Sequence, residues 1–269
     1  MDDAFGPVAA LAGRLSGRAG LVALDETGRE LFEHEADGVF TAASVIKIAL
    51  VMALHADAAE GRLSLDEPLP VGAAVFGSGV LGLAPSVREL PVRDLVALTI
   101  AVSDNTATNV LIDRVGPERI AARLRAWGIA ASRLQRRMFD LEAKARGLEN
   151  LMTPRETALL LLRLLRGECV DRATSDAVIA LLRTCQDSTM LRRYLPDDVT
   201  VAHKSGWLDG IRNDAGIVWA TRPVIVAGFT GDLPRLEEGR ALLGALGWCA
   251  YRAGGGEVPD LPPELSHPA

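Results

Sequence analysis

Strand-like sequence is found at the two ends of this chain, and helix-like sequence fills the middle. Near the N-terminus, Gly20–Asp25 and Glu30–His34 carry apolar residues on either side of a Thr-Gly turn, which predicts a β-hairpin. Three short runs near the C-terminus repeat the strand pattern: Val199–His203, Asp214–Ala220 and Pro223–Phe229. We therefore predict one sheet that takes strands from both ends of the chain, and this constrains the fold more than any other feature.

Apolar residues recur at helical spacing through the rest of the chain. The predicted helices are 4–17, Thr41–Ala59, Leu95–Arg114, Pro117–Trp127, Pro154–Leu165, Ser175–Thr184 and Arg235–Tyr251. We predict a mixed α/β (α+β) fold in which residues 1–35 and 191–253 form an α/β lobe, with an antiparallel sheet flanked by helices. Residues 36–190 form an inserted all-helical lobe, the active site lies at the junction, and 254–269 is a flexible tail rich in Gly and Pro.

The composition is that of an ordinary globular protein, and it argues against several kinds of partner. The 269 residues are 49% hydrophobic and 24% charged. The formal net charge is −6 and the pI is near 5.3, whereas nucleic-acid-binding proteins usually present a basic face. Three scattered cysteines are too few for a zinc cluster. We expect a monomer that binds a small-molecule substrate and uses no metal, cofactor, nucleic acid or membrane.

The sequence leaves the cellular location open. The chain starts Met1-Asp2-Asp3 without a basic and apolar leader, and no apolar run approaches the roughly 18 residues of a membrane span. We expect the chain as written to be soluble and cytoplasmic, whereas a chain that has lost a leader would be periplasmic or secreted.

Lysine is rare in this chain, so each lysine raises a chemical question. Lys47, Lys144 and Lys204 are the only lysines among 29 basic residues, and arginine cannot accept a proton at neutral pH. Lys47 follows Ser44 by three residues in a predicted helix, which places a nucleophile beside a base. A Ser-x-x-Lys pattern also arises by chance about once in a chain of this length. The apolar run around Lys47, where an unpaired cation is costly, favours a catalytic role.

A second polar pattern, Ser103-Asp104-Asn105, interrupts an apolar helical stretch. Its serine and asparagine can hydrogen-bond a catalytic lysine and a substrate amide. The same tripeptide also favours a plain helix cap or a short turn. Only the presence of Ser44 and Lys47 makes the functional interpretation preferable.

A third pattern, Lys204-Ser205-Gly206, ends the predicted strand that begins at Val199. A strand edge can bind an extended substrate alongside itself, and Lys204 can hold a carboxylate. Arg212, at the start of the next predicted strand, is another candidate anion contact. The alternative is that Lys204 is simply an exposed strand end.

Together, the three patterns resemble those of class A β-lactamases and their penicillin-binding relatives, in the same order. Ser103 lies 59 residues after Ser44, and Lys204 lies 101 residues after Ser103, which is similar to the family's spacing. The resemblance covers about residues 5–253. It implies a β-lactamase-like fold and a serine hydrolase that opens cyclic amides through an acyl-enzyme, acting on a β-lactam or a peptidoglycan-like peptide.

The resemblance also implies a role for each matching residue. Ser44 would be the nucleophile and Lys47 its base, Ser103 would relay a proton, and Asn105 would contact the substrate amide. Lys204 and Ser205, with Arg212 in support, would bind the substrate carboxylate. The backbone N–H groups of Ser44 and Trp207 would form the oxyanion hole, and no metal or cofactor would take part.

The chain departs from the family pattern in the loop before Thr153-Pro154. Class A enzymes use a glutamate there to activate the water that hydrolyses the acyl-enzyme, and this loop lacks the usual Glu-Pro pair and is about two residues shorter. Glu142 is the best replacement and Asp140 the second, although either can be a plain exposed carboxylate. If neither acts, we expect a penicillin-binding DD-peptidase or esterase with slow deacylation.

Two further interpretations, in which the chain is not a hydrolase that turns over substrate, stay open. The chain can be a sensor module that is acylated once, or a scaffold that has lost activity. Lysines retained at two of the three patterns argue against a lost activity. The walls of the substrate pocket, such as the loop Phe76–Val80, cannot be derived from the sequence.

Overall fold

The computed structural model describes residues 4–257. Its longer strands lie near the two ends of the chain and most of its helices lie between them, as predicted, but four short strands interrupt segment 36–190, which was predicted to be all-helical. The strands are β1 Arg18–Asp25, β2 Glu30–His34, β3 Phe40–Thr41, β4 Pro68–Pro70, β5 Glu89–Pro91, β6 Leu151–Met152, β7 Val201–Leu208, β8 Ile211–Trp219 and β9 Pro223–Gly231. The helices are α1 Gly6–Ala12, α2 Lys47–Ala59, α3 Val92–Ala101, α4 Asn105–Val115, α5 Pro117–Ala126, α6 Leu141–Ala145, α7 Pro154–Arg166, α8 Arg172–Leu182 and α9 Leu236–Ala253. Short 3₁₀ turns occupy Ala43–Ile46 and Leu81–Leu83.

One five-stranded antiparallel sheet joins the two ends of the chain, in the order β2-β1-β9-β8-β7. Strand β1 pairs with β9, so that Leu21 lies opposite Gly228. Strands β7 and β8 form a tight hairpin in which Leu208 lies opposite Ile211, and Gly210 takes the positive φ of 68° that the turn requires. The predicted mixed α/β fold with an antiparallel sheet is confirmed, and β7 is an edge strand of that sheet.

The chain divides by its internal contacts into two units. The first unit holds the described residues up to Val45, Met152–Leu162 and the described residues from Asp187 onward, and the second holds Ile46–Leu151 and Arg163–Gln186. Segments 36–45 and 152–162, which the sequence assigned to the helical lobe, thus group with the sheet. Side-chain contacts explain this grouping, because Arg155 pairs with Asp37 at 2.8 Å and with Glu30 of β2 at 2.6 Å.

In the first unit, α9 and α1 cover one face of the sheet. The core between them is aliphatic, and its fully buried members include Val8, Leu21, Val226, Leu242 and Leu246. Removing such side chains from water supplies the main stabilisation of the sheet. Of the predicted flexible tail, residues 258–269 lie outside the described residues, whereas Gly254 continues α9 with a hydrogen bond from its N–H to the carbonyl of Ala250.

In the second unit, α2 is the central helix. It contacts α3, α4, α5 and α8, and it is apolar on nearly every side, as expected of a helix buried all round. Asp57 near its end is fully buried, and its carboxylate is paired with Arg119 at 3.1 Å and Arg123 at 2.9 Å. These ion pairs remove the cost of a lone buried charge.

Several predicted boundaries differ from the structure. The helix predicted at Leu95–Arg114 is interrupted after Ala101, because Ser103 has a φ of 56°, outside the helical range, and Asp104 caps a new helix by accepting the N–H of Ala107 at 2.9 Å. Helix α6 was not predicted, and the helix predicted at 4–17 is the shorter α1. Within residues 4–257, no helix has the length and apolar character needed to cross a membrane.

Candidate active site

Ser44 lies in the 3₁₀ turn Ala43–Ile46 that leads directly into α2. Ala43, just before it, has a positive φ of 46°, which is unusual for a residue with a side chain. Strained backbone of this kind is concentrated at functional sites. The Ser44 side chain is half-buried, whereas Val45 and Ile46 after it are fully buried and anchor the turn.

Lys47 is the first residue of α2, and its side chain is completely buried. Its Nζ donates to the carbonyl of Ser103 at 2.7 Å and lies 3.0 Å from Ser103 Oγ. It also donates to Oδ1 of Asn105 at 2.9 Å. The structure therefore brings three of the predicted site residues together around one buried nitrogen. A lysine amine in such a setting can exchange a proton with the Ser103 hydroxyl.

The turn between α3 and α4 gives Ser103 its orientation. Asp104 is buried, and its carboxylate accepts the N–H groups of Val80 at 2.6 Å, Leu81 at 2.8 Å and Ala107 at 2.9 Å. The carboxylate thus fixes the 3₁₀ turn at Leu81–Leu83 and the start of α4 in one place. The sequence offered a helix cap as the alternative role of this tripeptide, and Asp104 does cap α4.

Asn105 connects Lys47 to the loop Phe76–Val80. Its Nδ2 donates to the carbonyl of Phe76 at 2.9 Å while its Oδ1 accepts from Lys47, so the side-chain amide has a fixed orientation. Ser78 from the same loop donates its hydroxyl to the Ser103 carbonyl at 2.8 Å. The Phe76 ring is 81% exposed and meets Phe139 edge-on at 5.4 Å between centroids. The sequence suggested this loop as a wall of the substrate pocket, and that role stays a prediction.

Lys204, Ser205 and Gly206 lie inside strand β7 and are buried. Lys204 is not the exposed strand end that was the alternative, since its side chain is 1% exposed. Its Nζ donates to the carbonyl of Ser205 at 2.7 Å. A buried ammonium has three hydrogens to donate, so this lysine can also receive an anion.

Gly206 allows β7 to approach the turn that carries Ser44. A Cβ atom at Gly206 would lie 2.7 Å from the backbone N of Ser44 and 3.0 Å from that of Val45. Real Cβ atoms do not make contacts of 2.7 Å. A glycine is therefore required here for close approach and not for an unusual backbone angle. The next residue, Trp207, has a side chain that is 54% exposed.

Arg212 lies on β8 opposite Trp207. Its guanidinium is buried and donates from Nη1 to the carbonyls of Leu208 at 2.9 Å and Ile211 at 2.7 Å. Its Nε is buried and has no hydrogen-bond partner within residues 4–257. Burial, together with the positive charge of Arg240, lowers the pKa of Arg212 from its ordinary value. These features fit a guanidinium that receives an anion.

A buried polar group that the sequence did not reveal lies next to Lys204. His203 and Asp214 are both fully buried, with His203 Nδ1 3.0 Å from Asp214 Oδ1. Asp214 also accepts the N–H of Leu191 at 3.1 Å. In the sequence, only the position of His203 next to Lys204 hinted at this buried pair. The contact with Asp214 itself depends on how β7 pairs with β8.

The two carboxylates proposed for water activation occupy different positions on α6. Asp140 caps this helix and accepts the N–H of Ala143 at 2.8 Å. Glu142 lies in the first turn and is exposed. The loop before them is held by Asn109, whose Oδ1 accepts the N–H of Met138 at 2.7 Å. A role for Glu142 in the reaction stays a prediction.

The chain is similar to known β-lactamases over most of its length. The model of the β-lactamase enzyme family matches residues 7–253. The β-lactamase L2 of Stenotrophomonas maltophilia is 32% identical over 220 residues, which cover 78% of this chain and 71% of L2. The crystal structure of a β-lactamase from Sphaerobacter thermophilus is 33% identical, with a TM-score of 0.85 over 93% of this chain and 97% of that one. The structure of PBP-A is 25% identical, with a TM-score of 0.84 over 94% of this chain and 96% of that one.

The fold, the order of the three motifs and these matches define a serine hydrolase of the class A β-lactamase type, and an ancestral class A β-lactamase is among the matched structures. The chain belongs to the β-lactamase enzyme family. The family resemblance stated from the motifs is therefore confirmed. The role of each individual residue stays a prediction.

Proposed function

We propose that this chain hydrolyses β-lactams through an acyl-enzyme on Ser44. The observation that carries the proposal is the fully buried Lys47 Nζ, which lies within 3.0 Å of Ser103 Oγ and of Asn105 Oδ1. A lysine that is three residues after a serine and buried among polar acceptors is suited to take up and pass on a proton. An arginine could not do this, because its guanidinium stays charged.

The acylation step is proposed to move one proton and exchange one bond. Ser44 Oγ attacks the lactam carbonyl carbon while neutral Lys47 accepts the serine proton. When the ring C–N bond breaks, Ser103 donates its hydroxyl proton to the leaving nitrogen and receives a proton from Lys47 in return. Lys47 is then neutral again, and the acyl group remains on Ser44. The Asn105 amide is proposed to hold the substrate's amide side chain.

The developing oxyanion is proposed to be stabilised by the backbone N–H groups of Ser44 and Trp207. The close approach of Gly206 to the Ser44 nitrogen supports this, because it places the strand backbone next to one of the two donors. Donors fixed in this way stabilise charge that appears only in the transition state.

The substrate carboxylate is proposed to bind Lys204, Ser205 and Arg212. Within the described residues, the only hydrogen bond of the buried Lys204 ammonium is to the Ser205 carbonyl. The buried Nε of Arg212 likewise has no partner there. Two buried cationic groups with donors to spare favour an anionic ligand.

Hydrolysis of the acyl-enzyme is proposed to use Glu142 as the base for water, with Asp140 as the second candidate. The test is Glu142→Gln, with Glu118→Gln as the matched control, because Glu118 is also exposed in the first turn of a helix. Deacylation should slow far more than acylation in Glu142→Gln and should not change in the control. Unchanged steady-state turnover of Glu142→Gln would eliminate it as the base and direct the same test to Asp140.

Intact-protein mass spectrometry during incubation with benzylpenicillin tests the function as a whole, if hydrolysed drug is measured in the same tube. A transient adduct with many equivalents of opened drug is the expected result. A stable stoichiometric adduct with little product would instead indicate a penicillin-binding peptidase or a sensor. Ser44→Ala should form no adduct while keeping the far-ultraviolet circular dichroism of the parent. Adduct formation by that variant would refute the assignment of the nucleophile.

We further propose that the partner is the small-molecule substrate alone, and that the chain acts as a monomer without nucleic acid or membrane. The net formal charge of −6 supports this, since it disfavours binding to a phosphate backbone. Light scattering after size exclusion would give a mass near 28.6 kDa for a monomer. A mass of twice that value would refute the monomer.

A further inference from the structure

We infer that Gly239 is a positioning residue for recognition of the substrate carboxylate, because the missing side chain at this place on α9 holds Arg212 in the orientation that receives an anion. The inference rests on the proposed role of Arg212 in binding that substrate group. Gly239, Arg212 and the groups that contact them all belong to the first unit. A substitution at Gly239 should therefore change how the carboxylate is bound by acting through Arg212.

Helix α9 contains three glycines, Gly239, Gly244 and Gly247. Glycine costs stability within a helix relative to alanine, so each of the three calls for a reason in the tertiary structure. The reason is close packing, because a Cβ atom at any of them would crowd a neighbouring group. At Gly244 the nearest atoms belong to the ring of Tyr194, whereas Gly239 lies against Arg212, a proposed site residue.

The contact between Gly239 and Arg212 leaves no room for a methyl group. A Cβ atom at Gly239 would lie 3.0 Å from Cβ and 3.3 Å from Cγ of Arg212, and 2.6 Å from Cδ1 of Leu233, whereas ordinary contacts begin at 3.4 Å. Leu233 can rotate its terminal methyl group away. The Cβ atom of Arg212 cannot rotate, because it is bonded directly to the backbone.

The backbone of Arg212 is itself held on both sides of β8. Trp207 of β7 lies opposite Arg212. On the other side, the hydroxyl of Thr230 on β9 accepts the N–H of Arg212 at 2.8 Å and donates to its carbonyl at 2.6 Å. A methyl group at position 239 would therefore displace the stem of the Arg212 side chain and not the strand.

The guanidinium of Arg212 is held by one of its nitrogens and leaves another unused. Nη1 donates to the carbonyls of Leu208 at 2.9 Å and Ile211 at 2.7 Å. Within residues 4–257, the buried Nε has no hydrogen-bond partner. In the planar guanidinium, the hydrogens of Nε and Nη2 share one edge, which matches the two oxygens of a carboxylate. This edge is the one that can bind the substrate.

Arg212 is thus held at its backbone, at its stem and at Nη1. A side chain held in this way loses little freedom when an anion binds to its remaining edge. If a methyl group at position 239 moves the stem while Nη1 stays on the hairpin carbonyls, the guanidinium must tilt. If Nη1 leaves those carbonyls, the whole group is released. Either change misaligns the edge formed by Nε and Nη2.

The test compares Gly239→Ala with Gly244→Ala. The control is matched, because it makes the same change in the same helix, and its Cβ would also lie 2.6 Å from the nearest atom, Cε2 of Tyr194. Both variants are made in Ser44→Ala, and calorimetry measures the affinities for benzylpenicillin and for its methyl ester, which lacks the free carboxylate. Gly239→Ala should lower the ratio of acid to ester affinity about tenfold, the order expected for one charge-assisted hydrogen bond, and Gly244→Ala should change it less than about threefold.

Two further variants show whether the effect passes through Arg212. In an Arg212→Ala background, adding Gly239→Ala should leave the ratio unchanged. Leu233→Val removes the methyl group that would lie closest to the new Cβ, so Gly239→Ala combined with Leu233→Val can fold even if Gly239→Ala alone does not. The combined variant should still show the tenfold lower ratio. Urea denaturation checks that each variant is folded.

An unchanged ratio in Gly239→Ala would overturn the inference, and so would an equal fall in Gly244→Ala, because general loosening of α9 would then explain it. Recovery of the ratio with Leu233→Val would assign the effect to Leu233 and overturn it as well. Equal binding of acid and ester by the Ser44→Ala parent would refute the proposed carboxylate role of Arg212 together with the inference. Covalent labelling of the Ser44 parent by benzylpenicillin is measured separately and reports on the proposed function alone.

Discussion

Replacement of Gly206 by alanine should impair acylation more than it impairs folding. The added Cβ would lie 2.7 Å from the Ser44 nitrogen, 3.0 Å from the Val45 nitrogen and 3.1 Å from the Ala43 Cβ, whereas ordinary contacts begin at 3.4 Å. Two of these three neighbours are backbone atoms, so they cannot rotate away. The strand and the Ser44 turn must therefore separate by about 0.7 Å, the difference between 2.7 and 3.4 Å.

A displacement of this size should disturb the proposed oxyanion hole. Loss of one oxyanion donor costs about 10²–10³ in rate, and a misplacement of about 1 Å costs about 10². We expect the second-order rate of acylation by benzylpenicillin to fall about 100-fold in Gly206→Ala, which corresponds to about 2.7 kcal/mol of transition-state stabilisation. Rapid-quench mass spectrometry of the Ser44 adduct measures this rate directly.

Gly72→Ala is the matched control for Gly206→Ala. A Cβ atom at Gly72 would meet nothing within 4 Å, so the same chemical change there should leave acylation unaltered. The reasoning would be refuted if Gly206→Ala acylated within threefold of the parent, or if Gly72→Ala were equally slow. Urea denaturation of both variants separates a local effect at Ser44 from a general loss of the folded state.

Three other predictions concern side chains that are buried or half-buried. Lys47→Arg should keep the charge but slow acylation about 10³-fold, because arginine cannot accept the serine proton. The rate of adduct formation measures this, and a rate within tenfold of the parent would exclude Lys47 as the base. Asp104→Ala should lower the free energy of unfolding by about 3 kcal/mol, as measured by urea denaturation, since three N–H groups lose an anionic acceptor. The control Asp198→Ala, at an exposed position, should have little effect. Burial raises the pKa of Cys169 to about 12, so the native protein should resist alkylation of this thiol at pH 8, and modification before unfolding would contradict that.

The sequence was sufficient for the sheet and for the contacts of Lys47 with Ser103 and Asn105, whereas the roles of the site residues stay predictions. Both depend on local patterns, namely alternating strands and three short motifs at characteristic distances. Lys47, Ser103 and Asn105 do meet in the structure, as their motifs predicted. Strand ends were less predictable, because Ser205–Leu208 has a mixed composition and is extended only through its pairing with β8. Asp209-Gly210 was the available signal for that hairpin.

Contacts that join distant segments were beyond sequence reasoning. The close approach of Gly206 to Ser44 depends on how β7 passes the turn Ala43–Ile46, and the presence of a glycine in the sequence does not predict it. The contact of Asp214 with His203 likewise depends on the register between β7 and β8. Neither Gly206 nor Asp214 stands out by composition, since Gly and Asp are common in this chain. These interactions can be found only after the tertiary structure is known.

The three lysines show when a rare residue type is informative. Lys47 and Lys204 are 0% and 1% exposed, whereas Lys144 on α6 is exposed. The rarity of lysine in this chain therefore would also have selected Lys144, which has no proposed role in the site. Burial separates them, because a cation is costly to bury unless a specific interaction requires it. At Lys47 the proposed interaction is proton transfer, which needs a side chain that can lose its proton. At Lys204 the ammonium donates to the Ser205 carbonyl at 2.7 Å, and its remaining hydrogens are proposed to bind the substrate carboxylate.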